Sequence, residues 1–67
     1  MARKVIKIEA FELEAGDLLV VKTGSVRHFY RVCEVKVWDD HVHYVYKTQG
    51  RFEHRECHVD DKLRVIE

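Results

Sequence analysis

The sequence contains no proline, three glycines and one tryptophan, and it has no excess charge, because 12 Lys and Arg residues balance 12 Asp and Glu residues. No apolar run approaches the ~18 residues of a membrane-spanning helix, and the N-terminus lacks the basic, hydrophobic and small-residue segments of a signal peptide. We therefore expect a cytoplasmic, intracellular protein with no membrane contact. The zero net charge argues against general nucleic-acid binding, which usually depends on a basic excess.

Cysteine is also scarce, with two residues, Cys33 and Cys57. In a reducing compartment we expect two buried thiols rather than a disulfide. A reactive cysteine needs a neighbouring base, whereas Cys57 and His58, adjacent on a strand, would point to opposite faces. With so small a core, no pocket for a small-molecule substrate is evident. We predict that the protein is not an enzyme.

Histidine is more abundant, with five residues. Structural zinc sites commonly use close pairs such as Cys-x-x-Cys, and the sequence contains no such pair. A site made of four histidines, His41, His43, His54 and His58, would require two neighbouring strands that carry all of them on one face. We predict solvent-facing histidines, with no metal and no cofactor.

The length of 67 residues allows one domain, residues 1–67, with one small core. A domain of this size buries only about 60% of the surface that its unfolded chain exposes, so its stability depends on a well-closed barrel or on oligomerisation. The hydrophobic fraction of 46% is that of a globular chain, so disorder is not expected despite 36% charged residues.

The stretch from Val26 to Tyr46 is a long run of β-branched and aromatic residues, interrupted once by Asp39 and Asp40. It predicts two strands joined by a tight two-residue turn. The apolar alternation shifts around residues 32–35. This shift predicts that the inward face changes there, as in a strand that bends around a barrel corner.

The N-terminal part predicts two further strands. Residues 5–8 form the first, and the apolar alternation then changes phase near Ala10, which predicts a bend or bulge. The alternative for EAFELEA is one or two helical turns that end at Gly16, because Glu, Ala and Leu favour helices. Leu18 to Val21 are four consecutive apolar residues, typical of a strand covered on both faces.

The C-terminal part continues with turns and short strands. Thr48-Gln49-Gly50 predicts a turn before a polar strand at 51–57, and a turn at 59–61 leads into a last strand at 63–66. The predicted fold is all-β, a meander of five or six strands with at most one short helical turn. Closure into a small SH3-like or OB-like barrel would protect the strand edges.

The same alternation predicts the core. The side chains expected inside are Val5, Ile8, Leu18, Val20, Cys33, Val32, Val35, Val37, Val42, Tyr44, Val59, Leu63 and Val65. If the alternation in a bulged segment is assigned one residue out of step, the side chains predicted to point inward would point outward.

Most of the chain resembles a group of small phage proteins. The segments VIKIEAFELEAGDLLVV and HVDDKLRVIE, with a Val- and Tyr-rich strand-turn-strand between them, resemble the short SH3-like β-barrel proteins encoded by small open reading frames of tailed phages. The shared residues are Ala10, Leu13, Gly16 and Asp17, with the segment 59–65. The resemblance implies an SH3-like barrel, in a group whose members mostly have no known function.

A second resemblance covers a shorter stretch. The segment AGDLLVVKTGSVRHFYRV is similar to KOW-type SH3-like domains of transcription and ribosomal proteins. Those domains place a glycine before the next strand, where this chain has Phe29 or Tyr30. The resemblance implies contacts with RNA or the ribosome.

The leading hypothesis for function is a non-catalytic interaction module that binds a protein partner or self-assembles. Its candidate residues are Trp38, Asp39 and Asp40, because an exposed aromatic ring at a hairpin tip is a typical interface anchor. Separation of acidic from basic residues favours steered docking or head-to-tail association. The alternative role of Trp38 is a lid over one open end of a barrel.

The alternative hypothesis is binding of RNA or single-stranded DNA. The candidate residues are Arg27, Arg31, Lys47, Arg51 and Arg55. The aromatic residues near them in sequence are Tyr30, Trp38, Tyr44, Tyr46 and Phe52. Rings beside cations are the combination that stacks bases and binds phosphates on a small barrel, although acidic stretches at 9–17 and 39–40 would repel phosphate.

Overall fold

The computed structural model describes residues 4–67 and confirms the all-β class. The strands are β1 (Val5–Glu9), β2 (Leu18–Thr23), β3 (Val26–Val37), β4 (His41–Thr48), β5 (Arg51–His58) and β6 (Lys62–Ile66). The helical element of this part of the chain is a 3-10 turn at Ala10–Glu12, so no helix there is long enough to cross a membrane. Each predicted strand is present, with ends close to those predicted.

Neighbouring strands are all antiparallel, in the hydrogen-bonded order β1-β6-β2-β3-β4-β5. Within residues 4–67 the edge strands β1 and β5 do not pair, so the sheet is open and the expected closure is not formed. The edge strand β5 has the sequence RFEHRECH, in which half of the residues are charged. Charged side chains are a common protection of an exposed edge, so the composition of β5 limits edge-to-edge pairing without closure.

The central strand β3 belongs to both halves of the sheet. Residues 26–31 pair with β2 and residues 32–37 pair with β4. The register shifts between Val32 and Glu34, which leaves Cys33 as the extra residue of a β-bulge. The predicted change of the inward face occurs at this bulge. It divides the sheet into a first half (β1, β6, β2 and residues 26–31) and a second half (residues 32–37, β4 and β5).

The core lies between these two halves. Its buried side chains are Ala10, Leu13, Leu19, Val32, Val42, Tyr44, Tyr46 and Val65. The rings of Tyr30 and Tyr46 stack with centroids 4.4 Å apart, so an aromatic contact connects the first part of β3 to β4. Removal of this apolar surface from water is the main favourable contribution to folding.

Three predicted core residues, Val5, Val37 and Cys33, are exposed, so the prediction is wrong for them. The inward residues of β1 are Ile6 and Ile8, and Val5 therefore points outward. Val37 is the last residue of β3, and Cys33 is displaced by the bulge.

The expectation of two buried thiols is accordingly wrong for Cys33. Cys57 is half-buried, and burial raises the pKa of its thiol. Both cysteines are free, with no disulfide between them.

The segment between β1 and β2 covers one end of the core. Oε1 of Glu12 accepts a hydrogen bond from the backbone N–H of Glu9 at 3.0 Å, and the N–H of Ala10 donates to the carbonyl oxygen of Asp61 at 2.8 Å. These bonds hold Ala10 and Leu13 against the core, where both are buried. The bend predicted near Ala10 is therefore a single 3-10 turn followed by extended chain.

We predict that Val32→Ala lowers the free energy of unfolding by about 2 kcal/mol, because Val32 is only 1% exposed and its truncation leaves a cavity between the halves. The matched control is Val26→Ala on the same strand, where the side chain is 55% exposed and the change should be below about 0.5 kcal/mol. Urea denaturation followed by circular dichroism measures both. Equal losses would contradict this position of the core.

Candidate nucleic-acid interface

The outward side of the first half carries a row of side chains across its four strands. Strand pairing sets Lys7 opposite Arg64 and Val20 opposite Phe29. Arg64 is also opposite Val20. Because directly paired residues point to the same side of a sheet, the row places two cations beside an apolar residue and an aromatic ring.

Neighbouring rows add more cations to the same side. Lys22 pairs with Arg27, and Lys62 pairs with Glu9. Arg31 lies two residues beyond Phe29 on β3, so it shares the outward side. The basic residues of this side are Lys7, Lys22, Arg27, Arg31, Lys62 and Arg64; we call it the basic face.

Little negative charge neutralises the basic face. Lys62 forms a salt bridge with Glu9, the one acidic residue on these strands. Arg31 donates from its guanidinium to the backbone carbonyl of Gly16 at 2.8 Å. Within residues 4–67, no carboxylate forms a salt bridge with any of the five cations other than Lys62. These five charges are therefore available to an anionic ligand.

Two adjoining hollows lie among these cations, because β2 pairs with β6 only through Leu18–Val20 and the strands separate beyond that point. The smaller hollow, about 220 Å³, is lined by Val5, Val20, Lys22, Arg27 and Arg64. The larger, about 420 Å³, is lined by Lys7, Leu19, Val20, Val21, Lys22, Tyr44, Lys62, Leu63 and Arg64. Both are lined by apolar side chains and by cations of the basic face.

The predicted nucleic-acid residues are divided between surfaces. Arg27 and Arg31 lie on the basic face, whereas Lys47 pairs with Phe52 on the outward side of the second half. Arg51 and Arg55 belong to the opposite side of β5, because they pair with Thr48 and with the core residue Tyr44. The structure therefore brings together two of the five.

Arg55 has a contact of its own with the core. Its Nε donates to the hydroxyl of Tyr46 at 3.3 Å, and this hydrogen bond raises the pKa of the Arg55 guanidinium. The side chain is thus engaged with the inward side of the second half rather than with the basic face.

The aromatic residues expected to stack bases do not lie together on the basic face either. Tyr44 and Tyr46 are buried, and burial raises the pKa of the Tyr44 hydroxyl. Tyr30 packs against the same core. The exposed ring of the basic face is Phe29, 51% exposed, which sequence reasoning missed. Its alternation with Arg27 and Arg31 was the available signal.

The protein-interface candidates lie at the hairpin between β3 and β4. Trp38 is 46% exposed and stacks on His41 with ring centroids 4.5 Å apart. Oδ1 of Asp40 lies 2.7 Å from Nδ1 of His41, and this hydrogen bond lowers the pKa of Asp40. Asp39 is exposed. The hairpin tip therefore presents one ring and two carboxylates.

The four histidines considered as metal ligands do lie on one side of neighbouring strands. His41 pairs with His58, and Nε2 of His43 is 3.2 Å from Nδ1 of His54. However, residues 4–67 contain no group of three or more His, Cys, Asp or Glu side chains that converge on one point as metal ligands would. The strand register thus satisfies one requirement of a metal site without assembling a ligand set.

Comparison with protein-family models, curated proteins and solved structures finds no match to this chain.

We predict that Trp38→Ala leaves the protein folded, with a loss of about 1 kcal/mol in the free energy of unfolding, because the ring is half-exposed and stacks mainly on His41. Tyr46→Ala is the contrasting variant, since its ring is 5% exposed and its loss should cost about 3–5 kcal/mol. Unfolding of both variants is followed by circular dichroism, because Trp38 is the single tryptophan and Trp38→Ala has no tryptophan fluorescence to follow. Unfolding by Trp38→Ala would assign the ring a structural role instead of an interface role.

Proposed function

We propose that this protein is a small, non-catalytic β-sheet module that binds nucleic acid through the basic face. The observation that carries the proposal is the convergence of Lys7, Lys22, Arg27 and Arg64 around two adjoining hollows, with no carboxylate in salt-bridge contact with them in the described part of the chain. Cations arranged in this way match the phosphates of a polyanionic backbone, which contribute much of nucleic-acid affinity through release of bound counterions.

For phosphate binding, the positions of the charged residues matter more than the net charge of the protein. The net charge is zero, but among residues 4–67 Glu9 is the only acidic residue on the basic face and is already bound by Lys62. The remaining carboxylates belong to the turns, to β3 beyond its bulge, to β5 and to the C-terminus. Separation of charge gives the basic face a positive potential that attracts phosphate within a Debye length, about 8 Å at physiological salt.

We further propose that the sheet is an open variant of an SH3-like barrel. Support comes from the long β3, which is shared by both halves and bends at a bulge, and from the single 3-10 turn that covers one end of the core. Bulges and corners of this kind allow a small sheet to fold onto itself.

A second candidate function is docking of a protein partner through the hairpin tip, and it uses a different surface. Trp38, Asp39 and Asp40 are exposed there. Phe52, on the same outward side of the second half, is 61% exposed. Aromatic anchors surrounded by polar groups are typical of protein interfaces.

The test of nucleic-acid binding compares two triple variants that change the net charge equally. Lys22→Ala, Arg27→Ala and Arg64→Ala together remove three cations of the basic face. Binding of labelled 12-nucleotide RNA and DNA is measured by fluorescence anisotropy at several salt concentrations. We expect weaker binding and a decrease of about 2 to 3 in the slope of log K against log salt, roughly one for each lost phosphate contact.

The control removes Lys36, Lys47 and Arg51, which are exposed outside the basic face. It should retain the wild-type salt slope within about one unit. Equal weakening by both variants would indicate non-specific attraction, and undetectable binding by the wild type at low salt would contradict the proposed function.

A further inference from the structure

The most unusual feature of the basic face is the aromatic ring of Phe29. It lies on the outward side of β3 opposite Val20, which is itself 9% exposed, while half of the Phe29 side chain remains accessible. Among residues 4–67, no aromatic ring stacks on Phe29 and no cation lies over it. By contrast, Trp38 stacks on His41, and Phe52 has the Lys47 ammonium 5.9 Å from its ring centre.

The neighbours of Phe29 on its own strand are cationic. Arg27 and Arg31 are two residues away on either side, so all three side chains point outward from β3. Residues two apart on a strand are separated by about 6.6 Å, so Arg27 and Arg31, four apart, are separated by about 13 Å, roughly twice the spacing of successive phosphates in an extended polynucleotide. The two arginines therefore fit phosphates about two steps apart along a single strand, with the Phe29 ring between them.

We propose that the basic face binds single-stranded nucleic acid, with a base stacked on Phe29 and one phosphate on each side of that base, about two steps apart, held by Arg27 and Arg31. This inference rests on the proposed function and specifies its ligand. A duplex keeps its bases stacked inside and presents mainly sugars and phosphates, so it has no base for the Phe29 ring. Only an unpaired strand uses the ring and the cations together.

Self-association through the same face is the competing explanation for an exposed ring. Pairing two copies through Phe29 would bring both sets of unneutralised cations together at close range, and like charges in contact oppose such an interface. Charge complementarity therefore favours a polyanion as the occupant of this surface.

The test measures a single-stranded 12-mer and a duplex of the same sequence side by side with the wild type and Phe29→Ala. We expect the wild type to bind the single strand more tightly than the duplex at equal salt. Phe29→Ala should weaken binding of the single strand by about 5- to 100-fold, the range for loss of one stacking contact, with little effect on the duplex. Phe29→Trp should retain single-strand binding.

The control is Phe52→Ala, which removes an exposed phenyl ring from the other half of the sheet and should leave both affinities unchanged. A single strand that contains 2-aminopurine adds a direct readout, because stacking on Phe29 changes its fluorescence and Phe29→Ala should abolish that change. Circular dichroism verifies that each variant is folded.

The outcomes separate the two proposals. In one outcome, the wild type and Phe29→Ala bind the single strand equally while the triple variant of the basic face loses binding. That result would contradict stacking on Phe29 but would support phosphate binding by the basic face. Tighter binding of the duplex than of the single strand would also contradict stacking on Phe29. Absence of binding to either ligand would overturn both proposals, and dimerisation of the wild type that Phe29→Ala abolishes would support self-association instead.

Discussion

The continuity of β3 through its bulge is the constraint on which the rest of the structure depends. Residues 26–31 complete one half of the sheet and residues 32–37 begin the other, so a single strand carries both halves. The bulge at Cys33 reverses which side chains point inward and lets the core form between the halves. It thereby also determines which side chains remain outside, including the ring of Phe29 and the arginines beside it.

The outward surfaces of the two halves differ in chemistry, although the chain as a whole is neutral. The first half presents cations beside a few apolar side chains, and the second presents Trp38, Phe52 and histidines. We propose on this basis two separate binding surfaces, one for phosphates and bases and one for an aromatic-anchored protein contact. Because the core is built from inward residues, outward side chains such as Phe29 and Phe52 remain exposed.

Much of the fold could be predicted from sequence, because alternation and turn residues are local signals. The strands, the bend near Ala10 and the change of face around Val32 all follow from such patterns. The open edges could not be predicted, since closure depends on the path of the whole sheet. The basic face was only partly predicted for a related reason: Lys7, Lys22 and Arg64 come from three distant segments that only strand pairing brings together.

Binding at the basic face is tested most directly by a backbone-amide NMR titration of the wild-type protein with a short single-stranded nucleic acid at low and at physiological salt. Binding at the basic face should give salt-sensitive shift changes at Lys7, Val20, Lys22, Phe29 and Arg64, on four strands that are adjacent in the sheet although β1 and β6 are far apart in sequence. Changes confined to the hairpin tip and to β5, or a spectrum that does not change, would contradict the assignment of the basic face as a nucleic-acid surface.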